Sequence, residues 1–145
     1  MITGSLLEEF DQFVSMLRMF SESGVPIVVE GLKDERSLRE LGVSGLIIRV
    51  SGKGLLKVAE ELTLFENFLI LTDFDHKGQE LALQLFRYLG HKNVDLAQNF
   101  RKRFGGLISK ITGNVEGLAS SYLTLKAKYG KTPVTAESKT RFMVY

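Results

Sequence analysis

The sequence predicts an α/β fold: an open, mainly parallel four-stranded sheet with helices on both faces, an extra N-terminal helix and a helical or irregular C-terminal extension. Three observations carry this. Short apolar runs rich in Val, Ile and Leu alternate with charged stretches of helical length between residues 25 and 96, the pattern of strands buried on both faces. Each predicted helix stops at a glycine or a polar break, at Gly42, Thr63 to Asn67 and Gly90, where a helix readily ends. The chain has 145 residues, 44% of them apolar, which suits one domain with a proper core.

The elements follow in order. Leu6, Leu7, Phe10, Phe13, Val14, Leu17 and Phe20 recur at helical spacing, and Ser5 with Glu8 makes a capping-box start, so residues 1–24 form an amphipathic helix ended near Gly24. Strand 25–30, helix 33–42, strand 45–50, helix 53–63, strand 67–72, helix 77–89 and strand 92–96 then make up a core over residues 25–97. In the extension, residues 98–145, Phe100 to Ile111 and Val115 to Tyr129 have helical character, against which stand Gly105-Gly106 and Gly113. Lys131 to Tyr145 fits a free arm or a docked edge segment equally well.

Composition narrows the chemistry. There is no Cys, which removes disulfides, thiolate catalysis and thiolate zinc sites and suits a reducing interior. No apolar run approaches the ~20 residues of a membrane span, and the amino terminus lacks a signal-peptide pattern, so the expectation is a soluble cytoplasmic protein with no membrane partner. Residues 1–97 hold 10 Lys/Arg against 15 Asp/Glu, net −5, while residues 98–145 hold 9 against 2, net +7. An acidic half joined to a basic one suits a protein that handles a polyanion such as RNA or DNA, and equally a solvated basic surface. The basic half begins with Arg101, Lys102 and Arg103 and continues through Lys110, Lys126, Lys128, Lys131, Lys139 and Arg141.

Three carboxylates end two of the apolar runs: Val25-Pro26-Ile27-Val28-Val29-Glu30-Gly31 and Phe68-Leu69-Ile70-Leu71-Thr72-Asp73-Phe74-Asp75. In an open parallel sheet, ligands gather in the crevice beyond the carboxyl ends of the strands, so these acids are expected to converge. Asp73 and Asp75 leave an extended segment on one face, roughly 6.6 Å apart at the backbone, a spacing that fits sharing Mg²⁺ or ending a strand and capping the next helix. Glu30 is placed to have a raised pKa and to exchange a proton, or to accept backbone N–H groups at a helix entry. Asp34, one turn on, fits a helix-start acid, an outer partner of the site or a residue with no special role. Ser51-Gly52-Lys53-Gly54 opens a helix after the second strand, where backbone N–H groups and Lys53 can meet a phosphate. Lys77 can do the same from beside the carboxylate pair, or be a solvated first-turn residue. A histidine metal cluster is not expected from His76 and His91 alone.

Taken together, Val28-Val29-Glu30-Gly31 with Asp34, Ser51-Gly52 before a helix, and Leu71-Thr72-Asp73-Phe74-Asp75-x-x-Gly78 resemble the toprim domain, a Rossmann-like fold. Topoisomerases, bacterial-type primases, ribosomal-RNA maturase ribonucleases, nucleases of the overcoming-lysogenization-defect type and recombination mediators share it. The resemblance covers about residues 25–96. It implies that Glu30 is the general acid/base and that Asp73 and Asp75, with Glu30 beside them, hold Mg²⁺, for which Mn²⁺ substitutes. A topoisomerase's tyrosine-bearing cleavage domain and a primase's cysteine zinc module have no counterpart here, so the expectation is a small stand-alone toprim protein. Its leading function is a Mg²⁺-dependent nuclease or ribonuclease, with Lys53, Lys77, Arg101, Lys102 and Arg103 on the nucleic acid. The alternative is a non-catalytic nucleic-acid-binding or ribonucleoprotein accessory module.

Overall fold

The computed structural model describes residues 3–90 and 92–130. His91 and residues 131–145, with the basic-half residues Lys131, Lys139 and Arg141, lie outside the described residues. The elements are α1 (Thr3–Glu22), β1 (Ile27–Val29), α2 (Leu32–Glu40), β2 (Ile47–Arg49), α3 (Leu55–Leu62), β3 (Leu69–Ile70), α4 (His76–Leu89), α5 (Asp95–Ile111) and α6 (Leu118–Tyr129). No helix among the described residues is long and apolar enough to cross a membrane.

The sheet is parallel, in the order β2-β1-β3. Val28 is in register with Ile48 on one side and Ile70 on the other. The ladder runs past the strands' formal ends, through Val50 N–H to the Val29 carbonyl, Ser51 N–H to Glu30 and Leu71 N–H to Val28. Alternate residues face opposite ways, as the pleat requires. Ile27, Val29, Leu69 and Leu71 join one apolar cluster with α1, α2, α5 and α6, whereas Val28, Ile48 and Ile70 join a second with α3 and α4. Both faces are therefore covered, which is why β1 and β3 read as unbroken apolar runs.

The expected fourth strand over 92–96 is replaced by a helix start, and the sheet has three strands among the described residues. The Asn93 side chain accepts the Asp95 N–H at 3.1 Å, and the Val94 carbonyl accepts from Gln98. Ala97, Phe100, Arg101, Phe104, Leu107 and Ile108 then fall on one buried face. That spacing is helical and reaches further back than Phe100, where the sequence reading began it. α5 packs against β3.

α1 begins before the expected cap, so Ser5 lies inside its first turns. It is part of the core: Phe10, Phe13 and Leu17 are fully buried. Phe13 stacks edge-on against Phe104 at 5.2 Å, and Phe10 lies 4.8 Å from Tyr122. The Tyr122 hydroxyl donates to Asp11, and burial with that partner raises its pKa. At the other end of α1, the Arg18 guanidinium donates to the Leu41 carbonyl at 2.6 Å. The chain turns there at Gly42 with φ 97°, a conformation that favours glycine.

Candidate active site

The three loops that leave the carboxyl ends of β1, β2 and β3 meet at one edge. The first carries Glu30, whose Oε2 accepts the backbone N–H of Asp73 at 2.7 Å. A side chain ending one strand is thereby tied to the main chain ending its neighbour. The second loop, residues 50–54, runs alongside, with its Ser51 N–H on the Glu30 carbonyl. The third carries Thr72-Asp73-Phe74-Asp75 into α4.

Every acid of this edge is seated by a backbone amide. Asp73 Oδ1 accepts from Val115 N–H at 2.8 Å, Asp75 Oδ1 from Gly78 N–H at 2.8 Å, and Asp34 Oδ2 from Gly31 N–H at 2.9 Å. Asp75 is thus the N-cap of α4, and Asp34 closes back on the start of α2. The other oxygens of Glu30, Asp73 and Asp75 make no hydrogen bond among the described residues. Burial raises the Glu30 carboxyl above its ordinary value of 4.5; the Asp73 N–H opposes this, and the charges of Asp73, Asp34 and Asp75 add to it. Asp34, buried in the structure, is raised in the same way, by burial first and then by the charges of Asp73 and Glu116, with backbone N–H groups opposing.

Gly78 explains the third fixed position of the D-x-D-x-x-G pattern. A Cβ there would stand 1.9 Å from the Asp73 carbonyl oxygen, so the first turn of α4 can approach the strand end only without a side chain. The Gly78 carbonyl in turn accepts from the buried Thr72 hydroxyl at 2.7 Å.

The basic residues divide. Arg101 is not on an exposed surface: it is 7% exposed and directed inward at the end of β3. Nη1 donates to the carbonyls of Ile70 and Thr72 and to the Thr72 hydroxyl, and Nη2 to the Asp73 carbonyl and the Gln79 side chain, at 2.8 to 3.1 Å. Its role as a nucleic-acid contact is corrected accordingly, because buried carbonyls take its donors. Burial lowers its pKa to about 10, opposed by the charges of Glu30 and Asp73. Lys102 and Arg103 are exposed on α5, turned from Arg101 by roughly 100° and 200° around the helix. Arg103 covers the Phe104 ring and, with Lys110, borders a cleft of about 320 Å³ against Glu9 and Gln12 of α1. Lys53 is bound to both carboxylate oxygens of Glu61 at 2.9 Å, and the N–H groups of Lys53 and Gly54 are taken up by the Val50 carbonyl. Lys77 and His76 are exposed on the first turn of α4.

The structure thus brings Glu30, Asp34, Asp73 and Asp75 to one edge, with Lys77 on the adjoining turn. Sequence reasoning missed Val115 and Glu116, which arrive from the α5–α6 loop, and Gln79. Spacing along the chain holds no signal for the first two. Gln79 falls one residue after Gly78, on the turn that faces α5. Among the described residues, no group of three Asp, Glu or His side chains stands in a geometry that encloses a metal ion.

Comparison with known proteins places the chain in a family. No family model matches the chain. It is 36% identical over 120 residues to a UPF0292 protein of Thermococcus sibiricus, covering 83% of this chain and 93% of that one. It is 37% identical over 123 residues to a UPF0292 protein of Pyrococcus furiosus, covering 84% and 90%. A solved structure of a putative protein from Aquifex aeolicus superposes with a TM-score of 0.57 at 22% identity, over 73% of this chain and 94% of that one, which is a likeness of fold. By the extent and level of the sequence matches, this chain belongs to the UPF0292 family.

Proposed function

We propose that this chain is a toprim-type, Mg²⁺-dependent nucleic-acid-processing protein, a small nuclease or ribonuclease acting on phosphodiester bonds. The observation that carries the reading is the Glu30 to Asp73 bond, which couples a raised, partly buried carboxyl on one strand end to the D-x-D loop of the next. Mg²⁺ is satisfied by one or two carboxylates with several waters and substrate phosphates, without a protein cage. Asp73 and Asp75 are hard oxygen donors on one loop, each seated through one oxygen, and that donor set fits such an ion. When bound, the cation supplies Lewis-acid polarisation of a phosphate oxygen.

The remaining chemistry belongs to the chain. Glu30 holds a proton more readily than a solvated carboxyl does, so it can pass that proton to a leaving oxygen or take one from an attacking oxygen. Asp34, behind it, contributes negative charge that keeps the proton there. Lys77 stands on the first turn of α4, where a phosphate entering along the helix N-terminus would meet it. Lys102 and Arg103 offer exposed charge to the flanking backbone of the nucleic acid.

The test is cleavage of structured RNA and of single-stranded DNA with Mg²⁺ or Mn²⁺ present, with Glu30→Gln as the control. Cleavage by the wild type that falls with the variant is the expected result. No cleavage of either substrate would overturn the nuclease. The second reading, a nucleic-acid-binding or ribonucleoprotein accessory module, is favoured by the amide partners that every one of these acids already has.

A further inference from the structure

Arg101 is the most buried charged residue among those described, and the use of its donors is unusual. A buried guanidinium ordinarily faces a carboxylate; this one donates to main-chain carbonyls at the end of β3, to the Thr72 hydroxyl and to one side-chain amide. The peptide group joining Thr72 to Asp73 is held at both ends, its carbonyl by Arg101 at 2.8 Å and its N–H by Glu30 at 2.7 Å. The carbonyl of the following peptide is on Arg101 as well, at 3.1 Å. Both peptide planes that flank the Asp73 Cα are thus fixed by one side chain, and with them the direction in which the carboxylate leaves. The Phe74 ring closes the guanidinium from one side, 4.2 Å from its centre, and Gln79 anchors its far nitrogen to α4 at 2.9 Å.

We infer that Arg101 is a positioning residue: it clamps the Thr72–Asp73 peptide from inside the fold and so sets the Asp73 and Glu30 carboxylates before any cation arrives. Arginine is required because a planar fork must reach two successive carbonyls and an amide oxygen at once, which the single ammonium of lysine does not do. The cation half of this inference rests on the reading of Asp73 as a metal ligand; the clamp itself does not.

The experiment compares the wild type with Arg101→Lys, Arg101→Gln and Gln79→Ala in the full chain, by amide hydrogen exchange and by Mn²⁺ titration. The expected result is faster exchange of the Asp73 N–H, by about tenfold or more, in both Arg101 variants, with Val28 and Ile48 as protected as before. Mn²⁺ affinity should fall about 10- to 100-fold, the usual cost of losing a ligand's supporting partner. Gln79→Ala leaves the guanidinium in place and should raise Asp73 exchange alone, which keeps the test decisive if Arg101→Gln does not fold. Arg101→Lys matching the wild type in both readouts would show that charge, not the fork, matters, and would overturn the clamp. So would unchanged Asp73 exchange in Gln79→Ala and Arg101→Lys. If no protein in the series binds Mn²⁺, the metal reading fails while the exchange rates still decide the clamp.

Discussion

Replacing Gly78 by alanine sets two effects of opposite sign against each other. Gly78 lies in the third position of α4, where helix propensity alone would make alanine better by about 1 kcal/mol. The added Cβ, however, would fall 1.9 Å from the Asp73 oxygen and 2.4 Å from its carbonyl carbon, more than ~1 Å inside ordinary contact. Both are backbone atoms at the end of a buried strand, so the helix turn must move instead. That movement breaks the Asp75 cap on the Gly78 N–H, at about 0.5–2 kcal/mol, and the buried Thr72 hydroxyl bond to the Gly78 carbonyl, at about 1–3 kcal/mol. Strain from overpacking adds about 1–3 kcal/mol. The losses outweigh the propensity gain, leaving a net destabilisation of about 4 kcal/mol. For a domain of this size that corresponds to a Tm lowered by about 10–15 °C. Calorimetry, with urea titration followed by circular dichroism, measures it directly. A Gly78→Ala protein melting within about 2 °C of the wild type, or above it, would refute the close approach of α4 to the strand end.

Other outcomes follow from the same geometry. Asp73→Asn with Asp75→Asn should abolish Mn²⁺ binding measured by titration calorimetry or paramagnetic resonance; unchanged binding removes these residues as ligands. Glu30→Gln should lower turnover by about 10²-fold, the scale of a general acid/base, with nucleic-acid affinity retained; equal loss of both makes Glu30 a binding residue. The same variant tests its titration. Because the folded state raises the Glu30 carboxyl, its contribution to stability is full below about 4.5, the ordinary value for a glutamate, and is lost as pH rises through the folded-state value. Urea midpoints of wild type and Glu30→Gln should therefore diverge in the variant's favour as pH rises through that window, and parallel curves would contradict the shift. Lys102→Ala with Arg103→Ala should flatten the salt dependence of single-strand binding by up to about 1.4 logarithmic units, 0.7 per phosphate contact. An unchanged slope would make the exposed face of α5 a solvated surface only.

The parallel sheet and its helical coverage are legible because a strand buried on both faces writes itself as an unbroken apolar run, as β1 and β3 do, while β2 carries the exposed Arg49 at its end. The convergence of Glu30, Asp73 and Asp75 was legible for a related reason: strand direction in a parallel sheet fixes which edge receives the residues that end each run. Residues 92–96 look like a strand because Val94 and Leu96 alternate with polar neighbours over a span too short to separate the two periods. The helical face beyond them contains an arginine at a core position and is interrupted by paired glycines before Leu107 and Ile108. Arg101 was read as part of a cationic run with Lys102 and Arg103, since adjacency in sequence says nothing about which of three successive helical residues turns inward. The Gly105-Gly106 pair that argues against α5 sits within the helix without a steric need for glycine: a Cβ at Gly105 would make ordinary contact with the Phe74 ring at 3.4 Å, and one at Gly106 would meet open space. The Val115 amide that seats Asp73 comes from a loop with no composition to mark it.

The pairing of α1 with α6 has a consequence for the order of events during synthesis. Asp11 is made 111 residues before its partner Tyr122, with Phe10 just ahead of it. At about 5–20 residues per second, α1 waits on the order of 5–20 s for the segment it packs against, with the apolar face of Phe10, Phe13 and Leu17 unshielded. The same late segment delivers the Val115 amide to Asp73. A nascent chain therefore cannot display a finished carboxylate edge before its core is sealed, and ribosome-stalled fragments ending before α5 should be clients of chaperones and proteases rather than of nucleic acid.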